Sequence, residues 1–404
     1  MDDRLEEFLQ SDLIKKIHKS MKREVVQLAS ERKQDSPARI PTGVFNVDYA
    51  LGGGWPVGRV SLVWGPKASF KTSMFLKSIA NAQKMCANCW IPHNPLTGEI
   101  MCACGEYRPP IIGFMDVEGA MDFSWARALG VDTEKLLYSI PDHGEEALDV
   151  MDALVRSGEV DIFALDSLAF LIPIKEVEES NEKGMMGDQP RMIGRAIRKL
   201  IGALNSVGND FDRRPTIFLV NQIRQKLTMF GDPTTQPGGF APGFIASVEM
   251  RTFSGKYPDT STGHIPNHVD LSFRIEKNKV GPTKIEGDFR LILMDSEVKR
   301  KGEVQDEPQI LNLLEISGLL DRSGNKWSCF DRVFRSKSLV ERAITIEPEY
   351  GQLVRTQLME RLLKSYFTGV PLNPDSEEIP SAKGSKGSKG SKGGKSKVAE
   401  SEQK

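Results

Sequence analysis

Residues 65–73 read GPKASFKTS. Gly65, Lys71 and Thr72 fall where the phosphate-cradling pattern G-x-x-x-x-G-K-[ST] has its first glycine, lysine and hydroxyl, but Phe70 stands in place of the second glycine. In such a loop the backbone N–H groups of residues 66–72 turn toward phosphate oxygens, and the N-terminus of the following helix adds its dipole. Lys71 supplies positive charge to the β- and γ-phosphates of a nucleoside triphosphate, and the Thr72 hydroxyl is a ligand for Mg²⁺. The expected nucleotide cradle is Gly65, Pro66, Lys67, Ala68, Ser69, Phe70, Lys71, Thr72 and Ser73. A glycine is required only where φ is positive or a side chain would strike the ligand. Phe70 therefore fits if its backbone is near-helical and its ring points away from the nucleotide.

The loop alone does not separate a working site from a chance match. The runs that read as buried strands do. RVSLVW leads into the loop, IIGFMDV is followed by Glu118, VDIFAL by Asp166-Ser167, and TIFLV by Asn221-Gln222. In an open parallel sheet, ligands bind at the carboxyl ends of the strands. Four strands deliver a polar or phosphate-binding group to one edge. Asp166 is placed to hold Mg²⁺ through water, Glu118 to act as general base for an attacking water, and Gln222 to sense the γ-phosphate.

The surrounding elements fit that reading. Strand-like runs alternate with helical stretches such as KTSMFLKSIANAQKM and PRMIGRAIRKLIGALNSV between about residues 40 and 296. This predicts an α/β core with a mostly parallel central sheet. Leu5, Phe8, Leu9, Leu13, Ile17 and Met21 recur at helical spacing, and REVVQLAS after them reads as a strand. The arm over residues 1–35 has its own domain or a neighbouring subunit to dock on. The core spans 36–297. Residues 298–370 read as a small α+β domain with ILNLLEISGLL and QLVRTQLMERLLKSYF as helices. The Lys/Gly/Ser tail, 371–404, buries too little to order itself and is either simply solvated or a weak, salt-sensitive DNA contact. The 404 residues carry a formal net charge of −1, so no global basic field points to nucleic acid, and any polyanion contact is local. No apolar run approaches a membrane span, and the opening MDDRLEEF is unlike a secretory signal, so the expectation is a cytoplasmic protein without a membrane partner.

Four of the five cysteines lie within nineteen residues: Cys86-x₂-Cys89, then Cys102-x-Cys104. Residues 85–110 thus read as a zinc-ribbon-like insertion with four thiolates for a structural Zn²⁺. The competing reading is four reduced thiols without metal. A redox CxxC pair would open a helix of a thioredoxin-like unit, which nothing here resembles. Cys329 stands apart as an expected core thiol.

Over nearly all of residues 1–370 the chain resembles the RecA family of recombinases. FMDVEGAMDFSWARALGVD, PDHGEEALDVMDALVRSGEVDIFALDS, NQIRQKL, MFGDPTTQPGGFAPGFIASV and RIEKNKVGPT carry the likeness. It implies a RecA-like P-loop ATPase core that polymerises on single-stranded DNA as a helical filament, through its N-terminal arm, and pairs it with double-stranded DNA for strand exchange. ATP and Mg²⁺ are the implied cofactors, and single-strand-binding and loader proteins are possible partners. Asp122 and Trp125 would lie near the base, and Lys277 and Lys279 would reach a neighbour's ATP. Residues 176–195 resemble the first DNA loop, with Met186 and Arg191 at matching positions and Arg198 just beyond. Residues 224–243 resemble the second, with Arg224, Lys226, Gly238 and Gly239. The S-F-K-T loop is similar to that of recombinases of large tailed phages (UvsX-like). A hexameric helicase or RadA-like branch-migration motor, and a non-catalytic mediator, are the alternatives.

Overall fold

The computed structural model describes residues 3–21, 26, 28, 37–91, 104–178, 187–207, 214–225, 234–258, 265–368 and 372. The first segment is two helices, α1 (Asp3–Leu9) and α2 (Asp12–Met21), where the sequence pattern predicted one. The break falls at Gln10–Ser11, and the Ser11 hydroxyl accepts from Ile14 N at 3.4 Å, a local bond that starts a new helix. The strand expected over REVVQLAS lies mostly outside the described residues; Val26 and Leu28, which are described, belong to no strand. The C-terminal tail, apart from Leu372, also lies outside them.

The core begins with a short antiparallel pair, β1 (Arg39–Ile40) and β2 (Trp55–Pro56), around α3 (Phe45–Leu51). There follow β3 (Val60–Gly65), α4 (Lys71–Ala82), β4 (Ile112–Asp116), α5 (Phe123–Ala128), β5 (Leu136–Ser139), α6 (Gly144–Ser157) and β6 (Ile162–Asp166). Then come α7 (Ile174–Glu178), α8 (Asp188–Ser206), β7 (Thr216–Gln222), the two-residue pair β8 (Arg224–Gln225) and β9 (Thr234–Thr235), α9 (Ala241–Ile245) and β10 (Val248–Thr252). β11 (His268–Asn278), β12 (Glu286–Ile292) and β13 (Val304–Gln305) complete the sheet. Its order is β13-β12-β11-β10-β3-β7-β6-β4-β5. From β10 to β5 every pairing is parallel; β11–β13 extend the other edge antiparallel.

Burial explains the two halves. Every residue of β3, β4 and β6 is buried, as expected for strands covered by helices on both faces. β11 instead alternates half-buried and buried positions over most of its length, one face toward the core and one toward water. Beneath the phosphate loop, α4 inserts Phe75 against Phe218 of β7, stacked at 4.4 Å, and Trp55 donates to the Ser78 hydroxyl at 2.9 Å.

The C-terminal unit is α10 (Glu307–Ile316), a three-stranded antiparallel sheet of β14 (Leu320–Ser323), β15 (Lys326–Cys329) and β16 (Arg332–Phe334), then α11 (Lys337–Ile346) and α12 (Pro348–Thr368). The stretch ILNLLEISGLL is therefore not all helix: α10 stops at Ile316, and Leu320 opens a strand past Gly318, whose φ is 69°. Cys329 is fully buried in this unit's cluster, as expected of a core thiol.

Candidate nucleotide and DNA site

The parallel strands end in one row: Thr252 on β10, Gly65 on β3, Gln222 on β7, Asp166 on β6 and Asp116 on β4. Gly65 is in register with Gln222, and Asp166 with Asp116. A Cβ at Gly65 would lie 2.3 Å from the Thr252 hydroxyl and 2.6 Å from its carbonyl, so only glycine lets β3 turn into the loop here. Ser69 closes the turn by donating to Pro66 O at 2.7 Å, with its oxygen 2.8 Å from the Thr252 hydroxyl.

Phe70 departs from the sequence-based expectation in one respect and meets it in another. Its backbone is left-handed (φ 70°, ψ 14°), not near-helical, as is that of Ala68 (φ 53°). These two left-handed residues flank Ser69 and turn successive N–H groups to one side, the arrangement that binds anions. The ring does point away from the cradle. It is 9% exposed, lies in the core cluster and meets Phe289 of β12 at 5.4 Å. A left-handed non-glycine costs roughly 1–2 kcal/mol, whereas burying a phenylalanine contributes about 1.5–3 kcal/mol. Burial outweighs strain, so phenylalanine holds a path usually reserved for glycine.

Lys71 opens α4, buried, and donates to Pro66 O and to the Ser69 hydroxyl. Burial lowers its pKa to about 8, against the opposing pull of Asp166 and Glu118. The Thr72 hydroxyl donates to Asp166 Oδ2, so both expected Mg²⁺ ligands already touch. Burial raises Asp166 to about 6; the Thr72 bond and Lys71 oppose the rise, and the charges of Asp116 and Glu118 add to it. An oxygen-only pair with a desolvated carboxylate suits a hard divalent cation. Glu118 is exposed one turn beyond β4, close enough for its charge to act on Lys71 and Asp166.

Asp116 is a site residue that sequence reasoning missed. Buried at the end of β4, it accepts from Gly119 N at 2.9 Å, Met121 N at 2.8 Å and the Tyr138 hydroxyl at 2.9 Å. Three donors on one carboxylate fix the turn that carries Glu118. The available signal was an acidic residue two positions before Glu118 at a strand end.

Asp122 caps α5, accepting from Ser124 N at 2.8 Å and Trp125 N at 3.1 Å; the Ser124 hydroxyl first, and these backbone bonds with it, hold its carboxyl below the usual range. Trp125 Nε1 donates to the Ser73 hydroxyl at 2.9 Å, tying the indole to the first turn of α4. The two residues thus flank the cradle on the β4 side.

At the other flank, fully buried Asn221 donates to Pro237 O at 3.0 Å and Gln236 Oε1 at 3.3 Å, while Gln222 N donates to Asn221 Oδ1. Asn221 thereby anchors the returning end of the 224–243 loop to the strand bearing Gln222. Arg224 Nη2 donates to Gln189 Oε1 at 3.1 Å on α8. Gly238 (φ 83°) and Gly239 (φ 64°) form a turn against α8, where a Cβ on Gly238 would lie 3.0 Å from Ile193 Cγ2. Arg191 and Arg198 are exposed on α8, which starts at Asp188, two residues before the stretch PRMIGRAIRKLIGALNSV that the sequence reads as helical, so the end of the loop-like segment 176–195 belongs to that helix. Its hydrophobic spacing places Ile193, Ala196, Ile197 and Leu200 inward. Met186 and Lys226 lie outside the described residues.

Lys277 and Lys279 do not approach their own phosphate loop. Lys277 pairs with Glu249 and so stands level with Leu62, three residues short of Gly65 and two strands away. At about 3.3 Å per residue the offset along the sheet alone is near ~10 Å. Lys277 Nζ donates to Gly243 O of α9 at 2.6 Å, and burial lowers its pKa, with Lys279 adding to the effect. Lys279 is exposed.

In the insertion, the sulfurs of Cys86, Cys89 and Cys104 lie within 4.8 Å of one another. Cys102 lies outside the described residues. The Cys86 knuckle is closed by Trp90 N to Cys86 O at 2.7 Å and Ala87 N to Arg108 O at 2.8 Å, and Arg108 forms a two-pronged ion pair with Asp161 at 2.6 and 2.9 Å. No described helix is long and apolar enough to cross a membrane.

Comparison with known proteins agrees with this geometry. The family model described as the RecA N-terminal domain matches residues 9–92 and 95–296, its break falling inside the cysteine segment. Protein RecA 1 of Myxococcus xanthus is 38% identical over 309 residues, covering 75% of this chain and 78% of the relative. Protein RecA of Mycolicibacterium gilvum is 34% identical over 329 residues, 80% and 83% of the two chains. Protein RecA of Kineococcus radiotolerans is 34% identical over 343 residues, 84% and 87%. The chain belongs to the RecA family, the DNA-dependent ATPases of homologous recombination and repair.

Proposed function

We propose that this member binds Mg-ATP on the strand-end row, polymerises on single-stranded DNA, and couples the γ-phosphate to DNA affinity through Gln222. The observation that carries the reading is the convergence of Lys71, Thr72, Asp166, Glu118 and Gln222 on one sheet edge. Lys71 and the loop N–H groups hold the phosphates. Glu118 takes the proton of the attacking water, with Asp116 fixing its turn. Mg²⁺, held by Thr72 and Asp166, would neutralise charge between the β- and γ-oxygens. Trp125 and Asp122 border the base.

Assembly as an open filament is supported from two sides. Leu5, Phe8 and Leu13 of the arm are exposed, as are Leu137 and Ile140 at the free β5 edge, so both faces suit burial in a neighbour. The distance of Lys277 and Lys279 from their own loop suits contact with the next subunit's ATP. The S-F-K-T loop supports kinship with phage-type recombinases.

Zinc in the cysteine knuckle is the finer cofactor reading. Cys86 and Cys104 sulfurs are 3.7 Å apart, and tetrahedral zinc with 2.3 Å bonds separates its sulfurs by about 3.8 Å. Protein purified under reductant should hold about one zinc per chain, released by a thiol-modifying mercurial; less than about half an equivalent sinks the assignment.

The function is tested by ATP turnover with and without single-stranded DNA. Turnover should rise with DNA, and Glu118→Gln should lose about 10²–10⁴-fold in rate while keeping ATP binding and long filaments in negative stain. Closed rings, or turnover indifferent to both DNA and Glu118→Gln, would overturn it.

A further inference from the structure

Phe240 is 86% exposed, the highest exposure of any large apolar side chain among the described residues. Isolated exposed apolar residues need no explanation, but this one has a particular setting. It follows the Gly238–Gly239 turn, and Phe244, itself 75% exposed, stands one helical turn on with ring centroids 6.4 Å apart. Phe244 N donates to Phe240 O at 3.1 Å, which fixes the pair on α9. The turn is not free to fold the ring away, because Gly238 is packed on Ile193 and Pro242. The helix it packs on, α8, exposes Arg191, Arg195 and Arg198 on successive turns, and Arg224 is tethered to the same helix. Gly239 has open space around it, leaving its backbone accessible.

We propose that Phe240 is a stacking platform for an unpaired base of single-stranded DNA, with Arg195 joining Arg191 and Arg198 on the phosphates. This rests on the DNA reading above and adds two residues to it. The composition is that of a single-strand groove: guanidinium groups and backbone N–H groups track the phosphates, and an aromatic face takes any base without reading its edge. A duplex keeps its bases stacked on one another and offers the ring no partner.

The test is a mutant-by-ligand cycle on the full chain with ATP, read by anisotropy of a labelled oligo-dT and of the same oligonucleotide with abasic sites. Phe240→Ala should weaken oligo-dT binding at least about tenfold, and Phe240→Trp should restore it. Wild type should lose a similar factor on the abasic strand, and Phe240→Ala should lose little more there. Thermal stability should not change, since the ring is exposed. Arg195→Ala should weaken both strands alike and flatten the salt dependence. Equal binding of oligo-dT by Phe240→Ala and wild type overturns stacking. So does an equal loss by the variant on both strands, or a defect in DNA-free self-association, which would place the ring against a neighbouring subunit. Failure of wild type to bind either strand removes the DNA reading itself, and this proposal with it.

Discussion

Lys71→Ala is expected to lower DNA-stimulated ATP turnover by about 10²–10³-fold, the loss typical of one preorganised charge donor. The sharper result lies in the pH dependence of Mg-ATP affinity. Burial lowers Lys71 to about 8 and raises Asp166 to about 6 in the nucleotide-free chain. The lysine is needed as the cation and the aspartate as the anion. Lys71 is charged below its pKa, and Asp166 is ionised above its own. Affinity is therefore highest between about pH 6 and pH 8 and falls on both sides. The alkaline limb is diagnostic, because the triphosphate does not titrate there. Lys71→Arg should move that limb upward by keeping its charge, and Asp166→Asn should flatten the acid limb. The stability sign runs the other way for Asp166. Its folded pKa lies above the ordinary carboxylate value, so the stability it contributes is present at low pH and is lost as pH rises from about 4 through about 6. A flat nucleotide-affinity profile from pH 7 to pH 9.5 in wild type would show that Lys71 is not the group that titrates.

Much of this site is legible in the sequence because its parts are short and local. A buried parallel strand is a continuous apolar run, and polar residues at or just past its end mark the edge, which is how Asp166, Glu118 and Gln222 come to be read together. What the sequence does not reveal depends on partners far along the chain. The role of Asp116 needs Tyr138, and that of Ser69 needs Thr252, 183 residues away. Asn221 becomes an anchor only once the loop returns to it at Pro237. The antiparallel β11–β13 edge was not distinguished from the parallel core, since a strand's alternation reports which faces are wet and not which way its neighbour runs. The helix read from Pro190 starts at Asp188 instead, because Asp188 and Gln189 are polar residues that suit a loop and a helix's first turn alike.

Phe70 is where packing and backbone compete, and it yields an order of stabilities that side-chain size alone would not. Phe70→Ala removes the buried ring but keeps a Cβ in the left-handed region, so a loss of about 3–5 kcal/mol is expected. Phe70→Gly loses the same ring but regains roughly 1–2 kcal/mol of backbone strain, leaving it short of wild type by about 1–4 kcal/mol. Glycine should therefore be the milder substitution, although elsewhere in a helix N-terminus or loop alanine is usually the safer one. Thermal or urea unfolding of the three proteins decides it. Alanine matching or exceeding glycine would mean that the left-handed backbone is not a real constraint. Glycine exceeding wild type would mean that the ring's burial does not offset it. The Phe289 contact gives an independent check, since Phe70→Gly and Phe289→Ala share one aromatic pair and their effects should fall short of additive by about 0.5–1.5 kcal/mol. The loop thus takes its shape from a core residue, and nucleotide affinity in the glycine variant should fall less than stability does, because the N–H groups that meet the phosphates keep their path.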